Sequence, residues 1–336
     1  MHYRNRATRH FLFVVALCAF RTTIGCAVEP TTPQEPLFDQ AIALSWEKTA
    51  ALFDGARALD HIANQIAFGP RTPERPHAKQ KTLDYISAHL SNISYIQLHH
   101  FQVKGLSGTN IWARISGTSQ EDAPHLLLGA HWDTRSHADR EPVKAYQRTA
   151  VLGANDGASG VAVLLEVAEQ LAQHPAHAVV DLLFFDLEDM GNIDGFHYAM
   201  GSQAFVDAHP DYRPDAGVIV DMVCDKNLRI SKESYSMNQA PKVMSRIWQS
   251  AKRQRADAFT ESPGMAVIDD HLPFLNAGIA VVDLIHLPFP KTWHTLNDRI
   301  EHCSAKSLSQ VGRVVLDFIY HYVPLNQQSK PVTTQP

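Results

Sequence analysis

Apolar and polar positions follow two rhythms along this chain, and their order sets the expected fold. Residues 38–53, 56–67 and 77–90 carry apolar side chains at helical spacing. Stretches 96–103 and 110–115, containing LHHFQV and NIWARI, switch to a two-residue period, as a half-exposed antiparallel pair does. Four nearly unbroken apolar runs at 125–129, 179–185, 217–220 and 279–285 read instead as buried central strands. Helical patterns at 157–173, 202–208, 240–255 and 304–322 lie between or after them. Strands alternating with helices predict an α/β fold, a largely parallel sheet covered on both faces. Ligands of such sheets bind beyond the carboxyl ends of the strands.

Those ends are where this sequence concentrates acids and histidines. HLLLGAHWDT closes the first run with His131 and Asp133, two apart and so on one face. DLLFFDLEDMG closes the second with Glu188 and Asp189 side by side. GVIVDM closes the third with Asp221, and beyond the fourth LPFPKTWHTLND carries Trp293 and His294. VLGANDGASG sets Asp156 at the mouth of a helix. Each residue alone has an ordinary role as a helix cap, a turn residue, a satisfied core histidine or a solvated strand end. Together, two histidines and several carboxylates on one sheet edge make a donor set suited to zinc. One carboxylate of the adjacent pair can then hold metal while its neighbour moves protons. Asp133 is the expected partner that fixes a histidine's tautomer.

Composition narrows the picture. With 336 residues, 45% hydrophobic and 19% charged, the chain is globular and long enough for one large core. The net charge of −5 falls to −9 without the four arginines of the first 27 residues, and no basic stripe appears, which argues against a nucleic-acid partner. Residues 1–27 combine a basic start, an apolar stretch at 11–20 and small residues before Ala27, the pattern of an export signal. Ten apolar residues are too few to span a bilayer. Cleavage after Ala27 releases a soluble exported protein, whereas acylation at Cys26 leaves a lipid-anchored one; both outcomes stay open. A proline-rich linker at 28–36, one catalytic domain at 37–325 and a polar flexible tail at 326–336 complete the expected organisation. Whether Cys224 and Cys303 pair cannot be read from their spacing.

HWD, GANDGASG, FFDLEDMG, the aspartate of IVDMV, DDHLPF and WHTLND occur in one order over residues 40–322. In this the chain resembles the zinc-dependent exopeptidases of the bacterial aminopeptidase type and the glutaminyl cyclases that share their fold. The resemblance implies a three-layer α/β/α sandwich around a twisted, mostly parallel sheet, with a zinc pocket at its carboxyl edge. It also implies two alternative enzymes. In a glutaminyl cyclase, Asp156, Asp189 and His294 hold one zinc and Glu188 shuttles a proton, with Asp221 and Asp269 as neighbouring catalytic acids. In an aminopeptidase, Asp156 bridges two zinc ions, His131 and Asp221 complete the second site, and Glu188 activates water.

Two features favour the cyclase. Asp269 precedes Asp270 in VIDDHLPF, where the peptidases usually have serine, and Trp293 precedes His294, where they more often have tyrosine. Trp293 and Phe289 are the expected substrate-facing wall, and the expected substrate is a peptide or protein N-terminus. The chain departs from the animal cyclases at Asp189, usually Glu, at Asp283, where they have histidine, and at Ala130, where they have cysteine. NIDGFHYAMGSQ lacks their pocket tryptophan, leaving Phe196, His197 or Tyr198 to substitute. These departures look more like the bacterial exported members.

Overall fold

The computed structural model describes residues 46–118 and 123–323. The expected export signal at 1–27 with Cys26, the linker at 28–36 and the tail at 326–336 lie outside the described residues, as does the start of the first predicted helix.

Helices Trp46–Leu52 (α1), Gly55–Ala67 (α2) and Pro76–Ser91 (α3) lead into the hairpin Tyr95–Val103 (β1) and Leu106–Ile115 (β2). Helix α2 starts where the Asp54 carboxylate accepts hydrogen bonds from the amides of Ala56 and Arg57. Helix α3 starts on Pro76, whose missing amide costs nothing in a first turn. The alternating part runs His125–His131 (β3), Ala158–Gln173 (α4), Val179–Phe185 (β4), Met200–Ala208 (α5) and Ala216–Asp221 (β5). Next come Ile230–Lys232 (β6), Ser234–Gln239 (α6), Pro241–Arg253 (α7) and Phe259–Pro263 (β7), with β6 and β7 forming a small parallel pair. His271–Asn276 (α8), Val281–Ile285 (β8) and Ala305–Tyr320 (α9) follow.

The main sheet has the order β1-β2-β4-β3-β5-β8. β1–β2 and β2–β4 are antiparallel, and the remaining neighbours are parallel. Side chains alternate across it. Leu126, Leu128, Val180, Leu182 and Phe184 enter the larger core, which also receives apolar side chains of α2, α4, α7 and α9. Leu127, Leu183 and Phe185 enter a smaller core with Phe205 of α5 and Phe274 of α8. Both faces are therefore apolar, which is why the central strands read as unbroken runs. The expected α/β architecture, a mostly parallel sheet flanked by helices, is the one observed.

Strand and helix limits fall close to their expected places. The fourth central strand begins at Val281 instead of 279, and the helix predicted over 240–255 runs from Pro241 to Arg253. β6, α6 and β7, of three, six and five residues, were too short for periodicity to reveal. Cys224 and Cys303 form a disulfide between the segment after β5 and the loop before α9. No helix among the described residues is long and apolar enough to cross a membrane.

Candidate active site

The carboxyl ends of the parallel strands converge on a cavity of about 190 Å³. Its polar lining comes from Asp156, Glu188, Asp189, Asp221, Asp269 and His294, all candidates from sequence. Trp293 and Phe289 supply aromatic surface, their ring centroids 4.2 Å apart, and Trp293 also lies 3.9 Å from the His294 ring. His131 and Asp133 are buried and touch this group without lining the cavity.

Local backbone explains how the strand ends present these side chains. Leu187, Met222 and His294 have φ of 58°, 50° and 55°, a left-handed region that non-glycine residues enter at a cost. Each turns the chain at or beside a site residue: Glu188, Asp221 and His294 itself. Gly157 has φ of 99°, and a Cβ there would sit 2.4 Å from the Asp133 carbonyl oxygen and 3.3 Å from His131 Cε1. Only glycine lets α4 begin this close to His131. Asp156 does not cap that helix, whose start has no side-chain cap bond. Its amide and that of Asn155 instead donate to the Asp298 carboxylate, at 3.0 and 2.7 Å. Burial, then the neighbouring Asp156, pushes Asp298 up to about 7. Asp133 likewise holds backbone: its oxygens accept from the amides of Glu188 and Asp189 at 3.1 and 3.2 Å. It stands 3.4 Å from His131 Nδ1, so it orients both the histidine and the acidic pair.

Two histidine-centred groups share Asp156. His294 Nε2 lies 3.3 Å from Asp189 Oδ1 and 3.7 Å from Asp156 Oδ2. His131 Nε2 lies 3.0 Å from Asp221 Oδ1 and 3.2 Å from Asp156 Oδ1. Each trio could hold a metal ion. The His294 trio carries a specific sign of fit: Asp189 Oδ2 is buried with no hydrogen-bond partner, a costly state that a bound cation relieves. Around this trio Arg135 forms a clamp. It donates to both Asp139 oxygens at 2.9 and 3.0 Å, and to Asp189 Oδ1 and its carbonyl at 3.1 Å each. Asp139 Oδ1 in turn lies 3.1 Å from His294 Nδ1.

Burial raises Glu188 and Asp269, and acidic neighbours add to it. Glu188 stands well above its ordinary value through burial, then against His131 through the charges of Asp269, Asp189 and Asp270. Burial and Asp221 push Asp269 up to about 6. Burial opposes charge on both histidines, yet the acids win. Asp221, Asp133 and Asp156 hold His131 well above its ordinary value, and Asp189 with Asp139 holds His294 at about 9.

Residues 110–319 match Peptidase family M28. The chain belongs to this family. A crystal structure of Bacteroides thetaiotaomicron glutaminyl cyclase bound to N-acetylhistamine is 31% identical with a TM-score of 0.75, covering 81% of this chain and 99% of that chain. A Zn-dependent exopeptidase from Parabacteroides distasonis is 30% identical with a TM-score of 0.75, over 80% and 99%. A glutaminyl-peptide cyclotransferase-like protein of Bos taurus is 24% identical over 287 residues, which is 76% of this chain and 73% of that protein.

Within this M28 site, Tyr198 lines the cavity, whereas Phe196 packs against a separate apolar cluster around Leu187 and Met190, and His197 is not in the lining. Asp283 is buried in β8, where burial and then Asp269 push its carboxyl well up. Arg135, Asp139 and Asp298 escaped the sequence reading. Asp298 closes the motif WHTLND and Arg135 directly follows HLLLGAHWDT, so those motifs were the available signal; nothing in the sequence near Asp139 pointed to it. The segment 265–268, which lines the cavity, also gave no pattern.

Proposed function

We propose that this M28 enzyme is a zinc-dependent glutaminyl-peptide cyclotransferase, converting N-terminal glutamine of peptides or proteins into pyroglutamate with release of ammonia. The observation that carries the reading is that Asp269 and Trp293, the two positions favouring cyclases over peptidases, line one cavity with Glu188. The likeness to a solved glutaminyl cyclase over 99% of that chain supports it.

Zinc suits the oxygen and nitrogen donors of Asp156, Asp189 and His294, and when bound it supplies positive charge at the side-chain carbonyl of the substrate glutamine. Glu188 takes a proton from the α-amine as that nitrogen bonds to the side-chain carbonyl carbon. It returns the proton to the amide nitrogen as the old carbon–nitrogen bond breaks and ammonia departs. A carboxyl whose affinity for protons is raised serves both as base and as acid. Trp293 and Phe289 offer the flat apolar surface against which a bent chain end is held, and holding it supplies much of the rate. Asp221 and Asp269 act as hydrogen-bonding acids beside Glu188.

One zinc ion fits the spacings better than two. Bonds of about 2.0–2.2 Å in a tetrahedron separate ligand atoms by roughly 3.3–3.6 Å, close to the 3.3 and 3.7 Å around His294. His131 Nε2 instead lies at hydrogen-bond distance from Asp221 Oδ1, 3.0 Å, a contact that satisfies both atoms without a second ion. The dinuclear aminopeptidase remains the second reading because Asp156 turns one oxygen to each histidine. Mass spectrometry of zinc-loaded protein with a Gln-initiated and a Leu-initiated peptide separates the two. Loss of one ammonia from the first peptide, with the second intact, is the expected result; free leucine and two zinc ions per chain would establish the peptidase.

Export belongs to the same proposal. It is supported by the basic and apolar start of the chain and by the Cys224–Cys303 disulfide, a bond typical of oxidising compartments. A mature N-terminus at Val28 would indicate a free protein, and an acylated Cys26 an anchored one.

A further inference from the structure

We infer that Met265 and Ile268 form a docking rim for the second residue of the peptide substrate and select an apolar side chain there. This rests on the cyclotransferase reading, in which the first residue occupies the cavity.

At about 190 Å³ the cavity is smaller than the ~300–1,000 Å³ of sites that enclose a drug-sized ligand. It takes one residue, and the next must lie across its mouth. Met265 and Ile268 line the cavity and are nevertheless 53% and 58% exposed. Lone exposed apolar residues are ordinary; two at the mouth of one pocket form a patch.

Their exposure is built into the backbone. Val267 between them is buried against Met222, Ile285 and Leu287, and its amide donates to Glu233 Oε1 at 3.1 Å. On the upstream side the Gly264 amide donates to the Lys232 carbonyl at 2.6 Å, and the Ser234 amide to the Met265 carbonyl at 3.2 Å. Glu233 is itself fixed: it is buried, accepts from the amides of Tyr235 and Ser236, and lies 3.2 Å from His271 Nε2. The segment is thus pinned before and between its exposed side chains. A rim formed in advance binds with little ordering cost. An apolar second residue would remove that surface from water, whereas glycine would leave it wet. The charged alternative nearby is Arg140, whose guanidinium lies 5.0 Å from the centre of the Trp293 ring.

The test uses zinc-loaded full-length protein and the amidated peptides Gln-Gly-Ala, Gln-Leu-Ala, Gln-Phe-Ala and Gln-Glu-Ala, with ammonia release as the readout. Leucine and phenylalanine should exceed glycine in kcat/KM by about five- to tenfold, mostly through KM. The double variant M265S/I268S should bring that ratio to within about twofold, since one side of the contact is gone. Equal rates for leucine and glycine overturn the rim, as does a ratio unchanged in the double variant. Preference for glutamate would assign the second position to Arg140 and overturn it too. If no peptide releases ammonia, the cyclotransferase reading fails and the rim with it, so the two failures are distinguishable.

Discussion

The two ends of the central sheet treat buried carboxylates in opposite ways. Near the amino ends, Asp181 of β4 accepts hydrogen bonds from Arg114 Nε and Nη2 at 2.7 and 2.9 Å, and lies 2.7 Å from His125 Nε2. Burial raises its carboxyl, but these partners outweigh burial and hold it at about 2. Glu188, three residues beyond the other end of β4 and also buried, stands well above its ordinary value through burial and acidic neighbours. The residue type, the sheet and the degree of burial are comparable, so the difference is the supply of positive charge. One end is a saturated ion pair that needs nothing more. The other gathers five carboxyl groups in one cavity with a single lining histidine, and so accommodates a metal ion and a substrate amine.

The sharpest way to break this contrast is Glu188→Gln. Cyclization of a Gln-peptide should fall about 10²–10⁴-fold while bound zinc, measured by atomic absorption, stays at the wild-type level. A wild-type rate would make Glu188 one more passive strand-end acid. A smaller effect is expected from Arg135→Gln, which removes the link between Asp139 and Asp189. Zinc affinity should weaken about 10–100-fold, read by competition with a chelator, with the far-ultraviolet circular dichroism unchanged. Unchanged affinity would mean that the trio is positioned without its clamp. His131→Asn is the control just behind the same cavity: the one-zinc reading expects a zinc content still at one per chain, and loss of a second ion would restore the dinuclear alternative.

The same contrast marks what was legible in the sequence. Motifs adjacent to strands were readable because a central strand buried on both faces is an unbroken apolar run, and a charge at its end is conspicuous. His131, Glu188 and Asp221 were found in that way, Asp156 at a helix mouth and His294 beyond the last central strand, and the topology brings all of them together. Arg135 and Asp139 were not, because their roles depend on a loop folding back over His294 with no periodic signal of its own. Asp181 was hidden for the opposite reason. A polar residue inside an apolar run is meaningful only once Arg114 and His125 are known to flank it, and strand pairing is a long-range fact. Met265 and Ile268 were invisible because exposure at a cavity mouth follows from the pinning of Val267, which no local pattern announces.

The smallest expected effect tests the amino end directly. A carboxyl held below its unfolded value adds stability that is full above about pH 4 and disappears as pH falls through about 2. A shift from 3.8 to about 2 corresponds to roughly 2 kcal/mol, and the 48% exposure of the Arg114 side chain reduces this further, to between about 1 and 2 kcal/mol. Asp181→Asn should therefore lower the stability of the metal-free protein by that amount at pH 7 in urea unfolding, with the deficit closing between pH 4 and pH 2. Glu188→Gln should shift metal-free stability the other way, upward at pH 7, because an acid whose folded value is raised destabilises the fold above its unfolded value. If both substitutions moved stability in the same direction at pH 7, charge supply would not be what separates the two ends, and the vacancy in positive charge assigned to the cavity would lose its physical basis.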